Sequence, residues 1–122
     1  MANLSQLRKY LNFSFSTGVT TGKDYQSFQT KYIHYLKNLC KDNQWELVNI
    51  GRNHYCFSAF IRNLSNKYIY LSISDVRYFN NHWHNKILIR TAKNERDYYG
   101  GINHYSILPT LAESISLLLQ QT

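Results

Sequence analysis

The residues best suited to metal chemistry are two histidines in an aromatic segment. His82 and His84 are separated by one residue, so an extended backbone would point both imidazoles to one side, as two ligands of one metal ion require. No third ligand stands nearby in the sequence, and structural zinc sites use four. We therefore predict no metal site. A metal-dependent hydrolase or nuclease that uses His82, His84 and a carboxylate is kept as the second alternative to the function predicted below.

Nucleophilic catalysis has weaker support in the sequence. Cys56 follows His54 by two residues, which would place a thiol and a base on one face of a strand. Cys40 falls on the apolar stripe of a predicted helix and is expected in the core. The run 18–24 is similar to a phosphate loop, but three residues rather than four separate its glycines, and Asp24 stands where Ser or Thr would hold magnesium. These patterns favour a protein that is not an enzyme, and we predict no cofactor.

Two segments, residues 77–85 and 93–106, combine basic and aromatic side chains in the way that binding surfaces do. Arginine and lysine pair with phosphates or acidic side chains, and tyrosine and tryptophan stack on bases or fill pockets of a partner protein. The binding residues that we predict are Arg77, Tyr78, Trp83, Arg90, Lys93, Arg96, Tyr98 and Tyr99.

Composition indicates one basic globular domain over residues 1–122. The chain has 14 Lys plus Arg against 7 Asp plus Glu, a net charge of +7, and 43% apolar residues. A basic surface attracts phosphates or acidic protein faces, although an AT-rich genome also enriches Lys, Asn, Tyr and Ile. Two cysteines without a CxxC motif and no apolar run of ~20 residues predict a soluble protein of the cytoplasm without membrane contact.

Apolar periodicity predicts the elements that position these segments. A short N-terminal helix, a strand over 13–16 and a Gly/Thr turn over 16–23 come first. A long helix over 24–42 follows, since apolar residues recur there at steps of three and four. The stripe consists of Tyr25, Phe28, Tyr32, Tyr35, Leu36, Leu39 and Cys40.

Beyond residue 43 the period changes to two, which is typical of strands. Four strands are predicted, at 45–50, 54–61, 67–76 and 86–92, with turns at 51–53 and 63–66 and a loop over 93–106. A final helix starts at a capping box, Thr110 to Glu113, and buries Leu111, Ile115, Leu118 and Leu119. The fold class predicted is α+β, a four-stranded antiparallel meander with one helix before it and one after it, both packed on one face.

Three segments carry a resemblance to a known group of proteins: residues 13–25 (FSFSTGVTTGKDY), 74–79 (SDVRYF) and 87–106 (ILIRTAKNERDYYGGINHYS). They resemble small proteins encoded on plasmids, integrative elements and phages of low-GC Gram-positive bacteria, over roughly residues 14–107. The resemblance implies a context, the cytoplasm of a bacterial host, and no catalytic or binding residue. Small accessory proteins of mobile elements are frequently antagonists of host defence, including anti-CRISPR proteins, which usually occupy a surface rather than catalyse.

We therefore predict a non-enzymatic basic binding protein of a mobile element that inhibits a bacterial defence system. Its partner would be a nucleic-acid-handling effector, or nucleic acid itself, bound through the two Arg/Tyr-rich loops. A first alternative is a sponge that sequesters a nucleotide signalling molecule in a pocket lined by the same groups.

Overall fold

The computed structural model of the chain describes residues 22–52, 56–74 and 87–120. Its elements are α1 (Gly22–Asp42), β1 (Glu46–Arg52), β2 (Cys56–Arg62), β3 (Tyr68–Ser74), β4 (Ile87–Ala92), β5 (His104–Ser106), a 3-10 turn (Leu108–Thr110) and α2 (Leu111–Gln120). The strands form one antiparallel sheet in the order β1-β2-β3-β4-β5. The α+β class and the meander are confirmed.

The prediction of four strands was wrong, because β5 lies inside the segment predicted as a loop. Tyr105 pairs with Leu88 and His104 with Ile89 at the edge of the sheet. A strand of three residues is too short to show alternation, and two glycines precede it, so its pairing with β4 depends on tertiary contacts that the local sequence does not reveal.

The turn predicted at residues 51–53 was also wrong at its first two positions. Gly51 and Arg52 belong to β1, where they pair with Ser58 and Phe57 of β2. The register shifts between Val48 and Gly51, which marks a β-bulge, and Asn49 within it has a φ of 49°. Asparagine tolerates this left-handed conformation better than most residues, so the strand continues through the bulge instead of ending there.

One face of the sheet, here the inner face, packs against both helices. Residues alternate along β2 and β3 as predicted: Phe57, Ala59 and Ile61, then Ile69, Leu71 and Ile73, are buried. Further core residues come from α1, β4 and α2, and they are Tyr32, Tyr35, Leu36, Leu39, Cys40, Ile87, Ile89, Leu111, Ile115, Leu118 and Leu119. Both apolar helix stripes are thereby confirmed where side chains are described.

Several predictions fall outside the described residues. They are the N-terminal helix and strand, the predicted turn up to residue 21, the segment 75–86, His54 and the side chain of Cys56. The last two positions of the turn predicted at 16–23 were wrong, because Gly22 and Lys23 form the first residues of α1. The predicted turn at 63–66 is present, and its Asn63 carboxamide oxygen accepts hydrogen bonds from the backbone N–H groups of Ser65 at 3.0 Å and Lys67 at 2.8 Å. Among the helices described, none is long and apolar enough to cross a bilayer.

Candidate binding surface

Residues 93–103, between β4 and β5, form a loop that is organised by one carboxylate. The Asp97 side chain accepts hydrogen bonds from the backbone N–H groups of Lys93 at 2.9 Å, Tyr99 at 3.3 Å and Gly100 at 2.8 Å. Asn94 adds a second local contact, since its side-chain oxygen accepts from the N–H of Arg96 at 2.8 Å. The 93–103 loop is therefore held by its own side chains, as compact functional loops often are.

Two glycines allow the loop to close on itself and on β4. A Cβ at Gly100 would lie 2.3 Å from an Asp97 carboxylate oxygen, so a side chain there would displace that carboxylate. Gly101 has a φ of +79°, and a Cβ there would lie 2.5 Å from the Thr91 carbonyl oxygen. Only glycine combines that backbone conformation with so close an approach.

An aromatic cluster attaches the loop to the outer face of the sheet, the face opposite the helices. Phe60 and Tyr70 are paired neighbours on β2 and β3, and both are buried although they lie on the face away from the helices. The Tyr98 ring packs edge-on against both, at centroid distances of 5.2 Å and 5.7 Å. Tyr98 thus covers the two aromatic residues that this face would otherwise expose.

Polar contacts fix the loop at both ends of this cluster. The Arg90 guanidinium lies 4.7 Å from the centre of the Tyr70 ring and donates to the Tyr98 carbonyl oxygen and, at 3.1 Å, to the Asn103 side-chain oxygen. From the far edge of the sheet, the Asn49 side-chain amide in the β1 bulge donates to the Glu95 carbonyl and, at 3.1 Å, to the Tyr98 hydroxyl. The loop therefore spans the outer face from β4 to β1.

The side of the loop that faces solvent carries the remaining predicted groups. Lys93, Glu95 and Arg96 are exposed, and Tyr99 is 92% exposed. Residues 93–97 line an open depression of about 550 Å³. The hydrogen bond from the Lys93 N–H, with those from Tyr99 and Gly100 and the Lys93 charge, lowers the pKa of Asp97 below its ordinary value. The Asp97 carboxylate accepts its hydrogen bonds from the backbone of the loop. Of the two acids in residues 93–97, Glu95 is therefore the one available to a partner.

The structure thus divides the predicted binding residues into three groups. Arg90 and Tyr98 hold the loop on the sheet, whereas Lys93, Arg96 and Tyr99 face solvent. Arg77, Tyr78 and Trp83 lie outside the described residues. Sequence reasoning missed Asn49 and Asp97, although an Asp three residues before a Gly-Gly pair is a recognisable loop signal.

The described residues offer little to catalysis. Within 22–52, 56–74 and 87–120 no group of three His, Cys, Asp or Glu side chains could hold a metal ion. Burial raises the pKa of the Cys40 thiol to about 12, so this cysteine stays protonated and unreactive at neutral pH. Glu46 forms an ion pair with Arg62 across β1 and β2.

Comparison with known proteins leaves the chain without a match: no family model, no curated protein and no solved structure is significantly similar to it.

Proposed function

We propose that this chain is a non-enzymatic binding protein that inhibits a bacterial defence system by engaging a nucleic-acid-handling effector through the 93–103 loop. The observation that carries the proposal is an exposed Arg96 and Tyr99 on a loop that is already ordered. A preformed loop loses little conformational entropy on binding, and Arg and Tyr are the residues in which binding energy is most often concentrated.

The charges of the loop favour an effector protein, or its complex with nucleic acid, over nucleic acid alone. Lys93 and Arg96 are accompanied by Glu95 and Asp97, so residues 93–97 carry no net charge. A surface that binds nucleic acid through phosphates is usually strongly cationic, whereas protein interfaces mix both signs around aromatic residues.

A functional assay in bacteria tests the proposal directly. In a host whose CRISPR system restricts a targeted plasmid, expression of the chain should restore transformation, and Arg96→Ala with Tyr99→Ala should abolish the effect. The matched controls are Lys41→Ala and Leu64→Ala, which remove an exposed cation and an exposed apolar side chain from α1 and from the β2–β3 turn. Failure to restore transformation against a panel of defence systems would refute the inhibitory function.

A binding assay separates the partners. Labelled single- and double-stranded DNA and RNA are titrated with the purified protein at low and physiological salt. Tight binding that weakens steeply with salt would show that the chain recognises nucleic acid directly, and it would contradict the proposal that the partner is an effector protein. Nucleotide absorbance retained through purification would instead support the sponge.

A further inference from the structure

The two edges of the sheet differ in how they are protected. The order of strands places β1 at one edge and β5 at the other, and within the described part of the chain no strand pairs with the second side of β5. β1 carries the charged residues Glu46 and Arg52 and a bulge, which are features that prevent another strand from pairing. β5 has no bulge in its pairing with β4 and no Lys, Arg, Asp or Glu, so β5 itself carries none of the features that prevent a further strand from pairing.

Apolar side chains surround this open edge. Tyr105, in the middle of β5, is 63% exposed, and Ile102 just before the strand is 77% exposed. Ile107 directly after it is exposed as well, whereas the alternate residues Ser106 and Leu108 are buried against the core. β5 is therefore held firmly from one side while it presents an apolar strip to solvent on the other.

Charge identifies the partner that fits this strip. Residues 98–112 contain no Asp, Glu, Lys or Arg, although the whole chain has a net charge of +7. Two copies of so basic a chain repel each other over most orientations, and a contact through this neutral stretch brings no like charges directly together. A nucleic acid or an acidic protein, by contrast, would find no cation here to bind.

We propose that β5 pairs antiparallel with β5 of a second copy, so that two five-stranded sheets become one ten-stranded sheet about a twofold axis. In such an interface a residue at the axis meets itself, and the middle residue of the three is Tyr105. A tyrosine presents roughly 200 Å². At 63% exposure each Tyr105 thus offers on the order of 130 Å² to its counterpart.

The expected strength follows from the size of this contact. With Ile102, Ile107 and the backbone of β5 added from both copies, the buried area approaches the ~1,000 Å² at which specific interfaces begin. The dimer should therefore be reversible, with a dissociation constant in the micromolar range. It uses residues 102–107 rather than Lys93, Arg96 and Tyr99, so the dimer is independent of the proposed function.

Sedimentation velocity over low to high micromolar concentrations tests the dimer. The wild-type chain should shift from monomer to dimer, and Tyr105→Lys should weaken association by about tenfold or more, because two cations then meet at the axis. Ile102→Lys should also weaken it, because a charge then replaces an apolar side chain at the rim of the contact. Leu64→Lys is the matched control, since it places the same charge on another apolar side chain, 80% exposed in the β2–β3 turn. It should keep the wild-type association curve.

Each other outcome overturns the proposal. A wild-type chain that stays monomeric throughout this concentration range would refute the dimer. A dimer that persists in both Tyr105→Lys and Ile102→Lys would place the contact elsewhere on the protein. If Leu64→Lys weakens the dimer equally, the loss of association is due to the added net charge and not to the β5 edge. Circular dichroism checks folding, and Ile102→Lys, outside any strand, remains informative if Tyr105→Lys does not fold.

Discussion

The adjacent tyrosines 98 and 99 allow a direct test of how the loop is attached. Tyr98 is 39% exposed and Tyr99 92% exposed, so truncation to alanine should affect stability at the first position and not at the second. A tyrosine has a surface of roughly 200 Å², so about 120 Å² of Tyr98 is buried. At ~25 cal/mol per Å² this burial contributes about 3 kcal/mol to the free energy of unfolding. Because real unfolded chains already bury part of this area, we expect Tyr98→Ala to lower the free energy of unfolding by about 2 kcal/mol.

Urea unfolding followed by circular dichroism and by fluorescence measures this difference. Tyr98→Ala should lower the midpoint without changing the slope, and its Tm should fall by roughly 6–10 °C. Tyr99→Ala should stay within about 0.5 kcal/mol of wild type, as surface substitutions usually do. Tyr98→Phe keeps the ring and removes the hydroxyl that accepts from Asn49, so it should cost less than about 1 kcal/mol. Equal stability of Tyr98→Ala and Tyr99→Ala would refute the attachment of the loop through Tyr98.

Three further predictions concern the loop and the core. Gly101→Ala should destabilise the protein by about 1–3 kcal/mol in urea unfolding, because its φ of +79° and the nearby Thr91 carbonyl exclude a side chain; a neutral result would contradict the described turn. The Asp97 pKa is lowered in the folded chain, so its contribution to stability is present above the unfolded value of ~3.9 and is lost as the pH falls through the lower folded value. NMR should therefore show the amide signals of Lys93, Tyr99 and Gly100 moving below that pH in wild type and not in Asp97→Asn. Cys40, with its pKa raised to about 12, should resist alkylation at pH 8 until urea unfolds the chain, as mass spectrometry of the labelled peptide would show; rapid labelling of the native protein would refute its burial.

The inner face of the sheet could be predicted from the sequence because local pattern and tertiary burial agree there. Ile69, Leu71 and Ile73 alternate with polar or aromatic residues, and a strand with one buried face requires that alternation. The stripes of α1 and α2 follow for the same reason, since residues at steps of three and four share one side of a helix.

The outer face could not be predicted in this way. Phe60 and Tyr70 are buried by Tyr98, which lies 38 and 28 positions further along the chain. The contact of Tyr98 with these two rings depends on the strand register and on where the 93–103 loop crosses the sheet. The alternation of apolar residues along a single strand predicts neither of these. The role of Asn49 requires a bulge as well, so a single polar residue in a strand gave no signal of its contact with the loop.

The bridge from Asn49 to the 93–103 loop has a consequence for the order of folding. Asn49 contacts Glu95 and Tyr98, which lie 46 and 49 positions later in the chain. These contacts can form only after β1, β2, β3 and β4 have assembled in register. Contacts of such long sequence separation are made late, because the intervening chain must first be closed. The loop should therefore dock as a final step and undock without global unfolding, so that its amides exchange with solvent faster than those of the sheet beneath it.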